Sequence, residues 1–336
     1  MQRALALADK GRGCTSPNPM VGCVIVHNDE IIGEGYHQKY GDLHAEPNAV
    51  NSVSDKSLIA QSTVYVTLEP CAHYGKTPPC AELLARLVPR KVIIASVDTN
   101  PLVGGKGIQK MKDAGIEVLH GLMDEENRYL NRRFFTFMEK KRPYIILKWA
   151  QTADGFVARK NYDSKWISNE ASRTRVHEWR AEEDGIMVAT NTALYDNPSL
   201  NVRLAEGADP VRILLDRTLK VPLNFNFYNQ QQKTLIYNEL EEVVDGNTEK
   251  IKLNFSNDII PQLLEDLYER KIQSVIVEGG SQLLNGFINT TLWDEARIFT
   301  SKNTFEEGIA APSINTQAVF EEDIEGDKVH YFLNKD

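Results

Sequence analysis

The sequence predicts two layered α/β domains in tandem, and three observations carry the prediction. The chain has 336 residues, more than one compact domain usually holds. Short apolar, β-branched runs alternate with stretches of helical periodicity along its length, the pattern of strands and helices stacked in layers. The alternation stops at Lys140-Lys141-Arg142-Pro143 and then restarts, and a proline ends a helix. One domain is therefore expected over residues 1–142 and a second over 143–336.

The elements follow in order. MQRALALADKGRG reads as an amphipathic helix with Leu5 and Ala8 inward. MVGCVIV (20–26) and EIIGEGY (30–36), joined through His-Asn-Asp, read as a hairpin. A helix after Leu43 carries His44 to Val53, and TVYVTLE (63–69) is β-branched and aromatic, hence a strand. Helix 79–88, strand KVIIASV (91–97), helix 105–114 and strand IEVLHG (116–121) complete the alternation, and one charged helix over 124–141 closes it. Beyond Pro143, strands are expected at YIILKWA (144–150), GIMVAT (185–190), VRILLD (211–216), TLIYN (234–238), SVIVEGG (274–280) and ARIFTS (296–301). Helices are expected near 169–182 and 258–271 and after Gly280, with a polar, acidic loop or edge excursion over 239–257.

Composition narrows the function. A net charge of −9 opposes a general nucleic-acid binder, while leaving room for a local basic pocket. No apolar run approaches membrane-span length, and charges interrupt the N-terminal apolar residues, so no secretory signal is read there. The 4 cysteines do not form a disulfide framework; in a reducing, cytoplasmic setting they are metal-binding, catalytic or merely buried.

Two of them, in TLEPCAHYGKTPPC (67–80), lie downstream of HAEPNAV (44–50). A catalytic zinc takes three protein ligands and keeps one position open for water, and His44, Cys71 and Cys80 supply three such groups. Glu46, two residues past the histidine, can face that open position and carry a proton from water to a leaving nitrogen. Zinc nucleobase deaminases write this as H-x-E followed by P-C-x-x-C. Here eight residues separate the cysteines, so a loop precedes Cys80, which opens a helix behind Pro78 and Pro79. The bland alternative is a structural zinc pair or two buried thiols. Cys23, in a strand, reads as core, and Cys14, in a loop, has no ligand partner in view.

With these motifs in place, SPNPMVGCVIV (16–26), HAEPNAV and TLEPCAHYGKTPPC closely resemble the bifunctional riboflavin-biosynthesis deaminase/reductase (RibD) family. KWAQTADG (148–155), SKWIS (164–168), NTALYDNPSLNVR (191–203) and VEGG (277–280) extend the resemblance, which is weakest over 220–272 and past 302. The resemblance implies a cytidine-deaminase-like α/β/α domain followed by a dihydrofolate-reductase-like α/β domain, Zn2+ and NADPH as cofactors, and a homo-oligomer, dimer or tetramer. It implies deamination of a phosphoribosylamino-pyrimidine, then reduction of its ribosyl group to ribityl.

By the same resemblance Asn18 meets substrate in the deaminase pocket; His73 and Lys76 either meet substrate or serve the loop. In the second half Ala150, Trp166, Thr192, Asp196 and the run Gly280, Ser281, Gln282, Leu283, Leu284, Asn285 and Gly286 would touch NADPH. Ser164, Arg180, Leu200, Arg203 and Glu278 would touch substrate, the guanidinium groups suiting a ribose-linked phosphate. On the residues alone this half is vaguer. No G-x-G-x-x-G follows a strand, and VIVEGGSQLLNGF offers only a Gly-Gly turn and a helix N-terminus for a phosphate. Arg217, after a strand, is a candidate reader of the 2′-phosphate of NADPH. Asp154 is a turn residue or an acid. Three rivals compete: a deaminase of another pyrimidine with a degenerate second half, a nucleic-acid-editing deaminase, and a zinc-stabilised scaffold. The intact second motif set, the acidic charge and Glu46 oppose them in turn.

Overall fold

A computed structural model describes residues 1–74, 78–100, 104–165 and 167–334. The chain divides into two compact units, Met1–Lys141 and Arg142–Asp336.

The first unit is a five-stranded sheet in the order β2-β1-β3-β4-β5. β1 (Gly22–His27) and β2 (Glu30–Tyr36) form the expected hairpin. Asn28 and Asp29, both at positive φ, make the two-residue turn whose hand matches strand twist. β3 (Thr63–Leu68), β4 (Lys91–Ser96) and β5 (Glu117–His120) are parallel to one another, and β3 is antiparallel to β1. Crossover helices α2 (Ala45–Ser52), α3 (Cys80–Leu87) and α4 (Lys106–Asp113) follow where the periodicity places them, and Ile25, Val64, Val66 and Ile94 meet Ala49, Leu84 and Met111 in the core. α1 (Gln2–Ala8) buries Ala4, Leu7 and Ala8, whereas Leu5 is only half-buried.

Two local devices position the site. A Cβ on Gly35 would lie 2.3 Å from Ala49 N and 2.6 Å from Ala45 O, so only glycine lets α2 lie this close on the hairpin. The buried Glu69 carboxylate accepts N–H bonds from Asp98, Gly105, Gly107 and Ile108, closing the start of α4 onto the end of β3.

The single helix expected over 124–141 is two: α5 (Asp124–Leu130) and α6 (Arg132–Lys140). Asn131 interrupts them at φ −97 and ψ 25. Its amide accepts from Met20 N at 2.8 Å and donates to Met20 O at 2.9 Å, so a buried side chain–backbone pair wins over continued helix.

The second unit is a ten-stranded sheet ordered β11-β12-β10-β9-β8-β13-β6-β14-β17-β16. β6 (Tyr144–Gln151), β8 (Gly185–Ala189), β9 (Val211–Leu215), β10 (Thr234–Asn238), β12 (Thr248–Lys252), β13 (Ser274–Val277) and β14 (Glu295–Thr300) run parallel. Apart from the edge-side β12, with its polar sequence TEKIK, they carry the largely apolar runs of strands covered on both faces. α9 (Ile259–Glu269) and α10 (Ser281–Asn289) pack on one face with Leu147, Val275 and Val277, and α7 (Glu170–Glu182) packs on the other with Ile146, Ile186 and Ile276. The polar stretch 239–257 is an edge excursion, where β11 (Val243–Asp245) pairs antiparallel with β12.

Several elements were not anticipated. β7 (Phe156–Ala158) pairs with β15 (Ile309–Ala310), and α8 (Thr190–Asp196) follows β8 directly. β16 (Phe320–Ile324) and β17 (Asp327–Leu333) close the far edge as a hairpin about Glu325-Gly326, both at positive φ. No helix among the described residues is long and apolar enough to cross a membrane.

Candidate active sites

In the first unit three side chains converge from three elements. His44 stands at the N-cap of α2, Cys71 on the loop after β3, and Cys80 opens α3. The His44 Nδ1, Cys71 Sγ and Cys80 Sγ atoms all lie within 4.8 Å of one another. Nδ1 is 3.6 Å from the Cys71 sulfur and 3.4 Å from the Cys80 sulfur. A tetrahedral zinc with ordinary Zn–S and Zn–N bonds requires roughly 3.6 Å between such donors, so the residues fit the ion in both type and spacing.

Glu46 sits in the first turn of α2 with 3% of its surface exposed. Burial first, then the charge of Cys71, push its carboxyl up to about 7. The Cys71 thiol is pulled down to about 4, chiefly by its hydrogen bond with Cys80, with His44 adding to it; Cys80 is pushed up by the same partner and by burial. Asn18 is half-buried and its amide nitrogen lies 3.1 Å from His37 Nε2, while His37 Nδ1 lies 3.1 Å from the Leu43 carbonyl. Burial lowers His37; with Nδ1 donating to the Leu43 carbonyl, Nε2 accepts from the Asn18 amide nitrogen.

His37 was not singled out from sequence, nor was Asp98, which burial pushes up to about 6 beside Glu69 and Cys71. His73 is exposed, and Lys76 lies outside the described residues. Cys23 is buried in β1 and Cys14 is exposed.

In the second unit the parallel strands end along one edge, where ligands bind in such sheets, and a cavity of about 1370 Å³ opens there. Of the expected residues, Ala150, Ser164, Thr192, Arg203, Arg217 and Glu278 line it. So do Gly280, Ser281, Gln282, Leu283, Leu284 and Gly286 at the start of α10. Arg180, Asp196, Leu200 and Asn285 are not among the lining residues, and Trp166 lies outside the described residues. Asp196 accepts from Ser164 Oγ at 3.3 Å, and burial raises its carboxyl. Leu200 is buried at φ 52, and Asn285 is exposed on α10.

A buried charge group meets the cavity wall at Lys148 and Glu278. Both nitrogens of the Arg180 fork donate to Glu278, each at 2.8 Å, and Lys148 Nζ lies 3.7 Å from Glu278. Burial alone would raise the Glu278 carboxyl; Arg180 and Lys148 outweigh it and hold the group at about 2. Burial lowers Lys148. Burial, Arg180 and Arg203 bring His177 down to about 4, and neutral His177 accepts from Arg203 N at 3.3 Å. Lys148 and His177 were missed. The signal for Lys148 was available as the one charge inside YIILKWA. Asp154 accepts from Thr152 Oγ1, Phe305 N and Glu306 N; it clamps a turn.

The cavity also fits a dinucleotide. The N-terminus of the nine-residue α10 presents unpaired backbone N–H groups along its wall, and Thr192 Oγ1 would lie 3.3 Å from a Cβ at Gly280.

Comparison with known proteins gives the same two-part division. Residues 1–96 match the cytidine and deoxycytidylate deaminase zinc-binding region, and residues 143–301 match the RibD C-terminal domain. Riboflavin biosynthesis protein RibD of Actinobacillus pleuropneumoniae is 43% identical over 84% of this chain and 77% of its own length. The Aquifex aeolicus protein of that name is 39% identical over 96% of this chain and 91% of its own. The crystal structure of a diaminohydroxyphosphoribosylaminopyrimidine deaminase/5-amino-6-(5-phosphoribosylamino)uracil reductase from Thermotoga maritima superposes with a TM-score of 0.90 at 37% identity, covering 99% of this chain and 97% of that one. A cytidine-deaminase-like zinc-binding domain thus precedes a dihydrofolate-reductase-like, NADPH-dependent one, and the chain belongs to the RibD family of bifunctional riboflavin-biosynthesis deaminase/reductases.

Proposed function

We propose that residues 1–142 hydrolyse the ring amine of 2,5-diamino-6-(5-phosphoribosylamino)pyrimidin-4-one and that residues 143–336 then reduce its ribosyl group to ribityl. The observation that carries the reading is the meeting of His44, Cys71 and Cys80 beside the buried Glu46. Zinc held by the three supplies the Lewis acid that makes water nucleophilic at neutral pH. Glu46 takes a proton from the attacking water and returns it to the departing nitrogen, so the amine and water become carbonyl and ammonia. Its place in the first turn of α2, two residues past His44 and buried, suits both halves of that shuttle. Asn18, turned by His37, accepts an N–H of the pyrimidine.

In the second domain NADPH supplies the hydride, with Ala150, Thr192, Asp196, Trp166 and the segment Gly280–Gly286 holding the nucleotide. Lys148, buried against Glu278, delivers the proton to the ring oxygen released as the bond from that oxygen to the anomeric carbon breaks. Arg203 and Ser164 hold the ribose phosphate, Glu278 meets the substrate with Arg180 paired to it, and Leu200 packs beside them. Arg217 meets the 2′-phosphate. The working protein is a cytoplasmic homo-oligomer, a dimer or tetramer.

The test is NADPH oxidation by zinc-loaded protein given the diamino-pyrimidine ribosyl phosphate alone. Oxidation is expected to vanish in Glu46→Gln and to return on supplying the deaminated substrate. An absence of oxidation with both substrates sinks the reductase assignment.

A further inference from the structure

We infer that Glu239 sets how strongly this chain prefers a 2′-phosphorylated nicotinamide nucleotide over its unphosphorylated counterpart; the inference rests on reading the second-unit cavity as the NADPH site. Arg217 follows β9 and Glu239 follows β10, neighbours in the parallel sheet, so both leave it at the ligand edge. Glu239 N donates to Arg217 O at 2.9 Å, and Arg217 Nε donates to Glu239 Oε2 at 2.8 Å. Thr218, Lys220 and the half-buried Phe255 line the same end of the cavity. Lys148, on β6, is three strands from β9, about 14 Å at ordinary strand spacing, a span suited to an extended dinucleotide. A nucleotide with its nicotinamide toward Lys148 and Glu278 therefore brings its adenosine to Phe255 and its 2′ substituent among Arg217, Thr218 and Lys220.

Two cations and a hydroxyl there suit a phosphate dianion. Glu239 does not. Its carboxylate repels that phosphate and occupies the guanidinium edge the phosphate needs. The same carboxylate suits a ribose that carries only hydroxyls, because an acid beyond a strand accepts their hydrogen bonds. Glu239 is thus a specificity-determining residue that weakens NADPH and supports NADH, and Arg217 is its counterweight.

Binding without turnover tests this, with NADPH and NADH titrated separately against the zinc-loaded protein lacking pyrimidine substrate and followed by nucleotide fluorescence. Glu239→Gln is expected to tighten NADPH about fivefold, the scale of one charge pair at a solvent-facing rim, and to leave NADH unchanged or weaker. Equal tightening of both nucleotides overturns the inference, since it reports general charge and no reading of the 2′ position. Weaker NADPH binding also overturns it, because Glu239 would then be orienting Arg217 for the phosphate. Arg217→Ala separates the levels: lost NADPH preference upholds the placement of the 2′ end, whereas unchanged binding of both nucleotides overturns that placement and the inference with it.

Discussion

Replacing Glu278 by Gln removes one negative charge from between two buried cations. The side chains of Glu278, Arg180 and Lys148 are 8%, 11% and 14% exposed, so water does little to screen the change. The Glu278 carboxyl lies at about 2 against an ordinary 4.5, a shift worth ~3 kcal/mol of folding free energy. Breaking a buried pair by deleting one partner costs about 3–5 kcal/mol, so two independent routes agree. The group's folded value lies below its unfolded one, so its contribution is complete above pH 4.5 and is lost as pH falls toward 2. Glu278→Gln should therefore destabilise the second unit by ~3 kcal/mol at pH 7, and that deficit should shrink by roughly 1 kcal/mol at pH 4. Urea unfolding followed by tryptophan fluorescence reads this unit alone, because all 4 tryptophans (Trp149, Trp166, Trp179 and Trp293) belong to it. A deficit below about 1 kcal/mol at pH 7, or one that does not change with pH, would refute the account of Glu278 as an ion held by Arg180 and Lys148.

Two further outcomes follow from the geometry. Lys148→Met should lower the rate of reduction about a hundredfold while NADPH binding, measured by nucleotide fluorescence, stays as it was; an unchanged rate takes the proton role away from Lys148. Gly35→Ala places a methyl 2.3 Å from Ala49 N, so α2 must move and carry His44 and Glu46 with it. A stability loss of about 1–3 kcal/mol together with lowered zinc content is expected, and normal melting with full zinc stoichiometry would show that the hairpin yields instead.

The deaminase site was legible because its chemistry is written in rare residue types at short range. His44 and Glu46 share one turn of α2, and Cys71 and Cys80 flank one loop, so a string of letters already holds most of the geometry. What it could not hold was His37, whose role depends on a contact 19 residues away with Asn18. The same limit explains the misread helix: the polar Asn131 looks like a tolerated surface residue until Met20, 111 positions earlier, is beside it. The closing hairpin of the second unit is a different case. Its Glu-Gly turn and the alternation in DKVHYFL were readable signals.

The reductase cavity resisted reading for a physical reason. Its walls come from the ends of strands that lie far apart in sequence, and its central acid, Glu278, is defined by partners 98 and 130 residues away, Arg180 and Lys148. A guanidinium in the sequence looks like a phosphate ligand, and Arg180 was expected to touch substrate. In the fold both nitrogens of its fork are engaged by a carboxylate that burial would otherwise neutralise. That engagement has a chemical consequence. Burial lowers Lys148, and the ionised Glu278 opposes that lowering. Arg180 therefore fixes the ionised state of Glu278, the acid that lines the cavity beside Lys148.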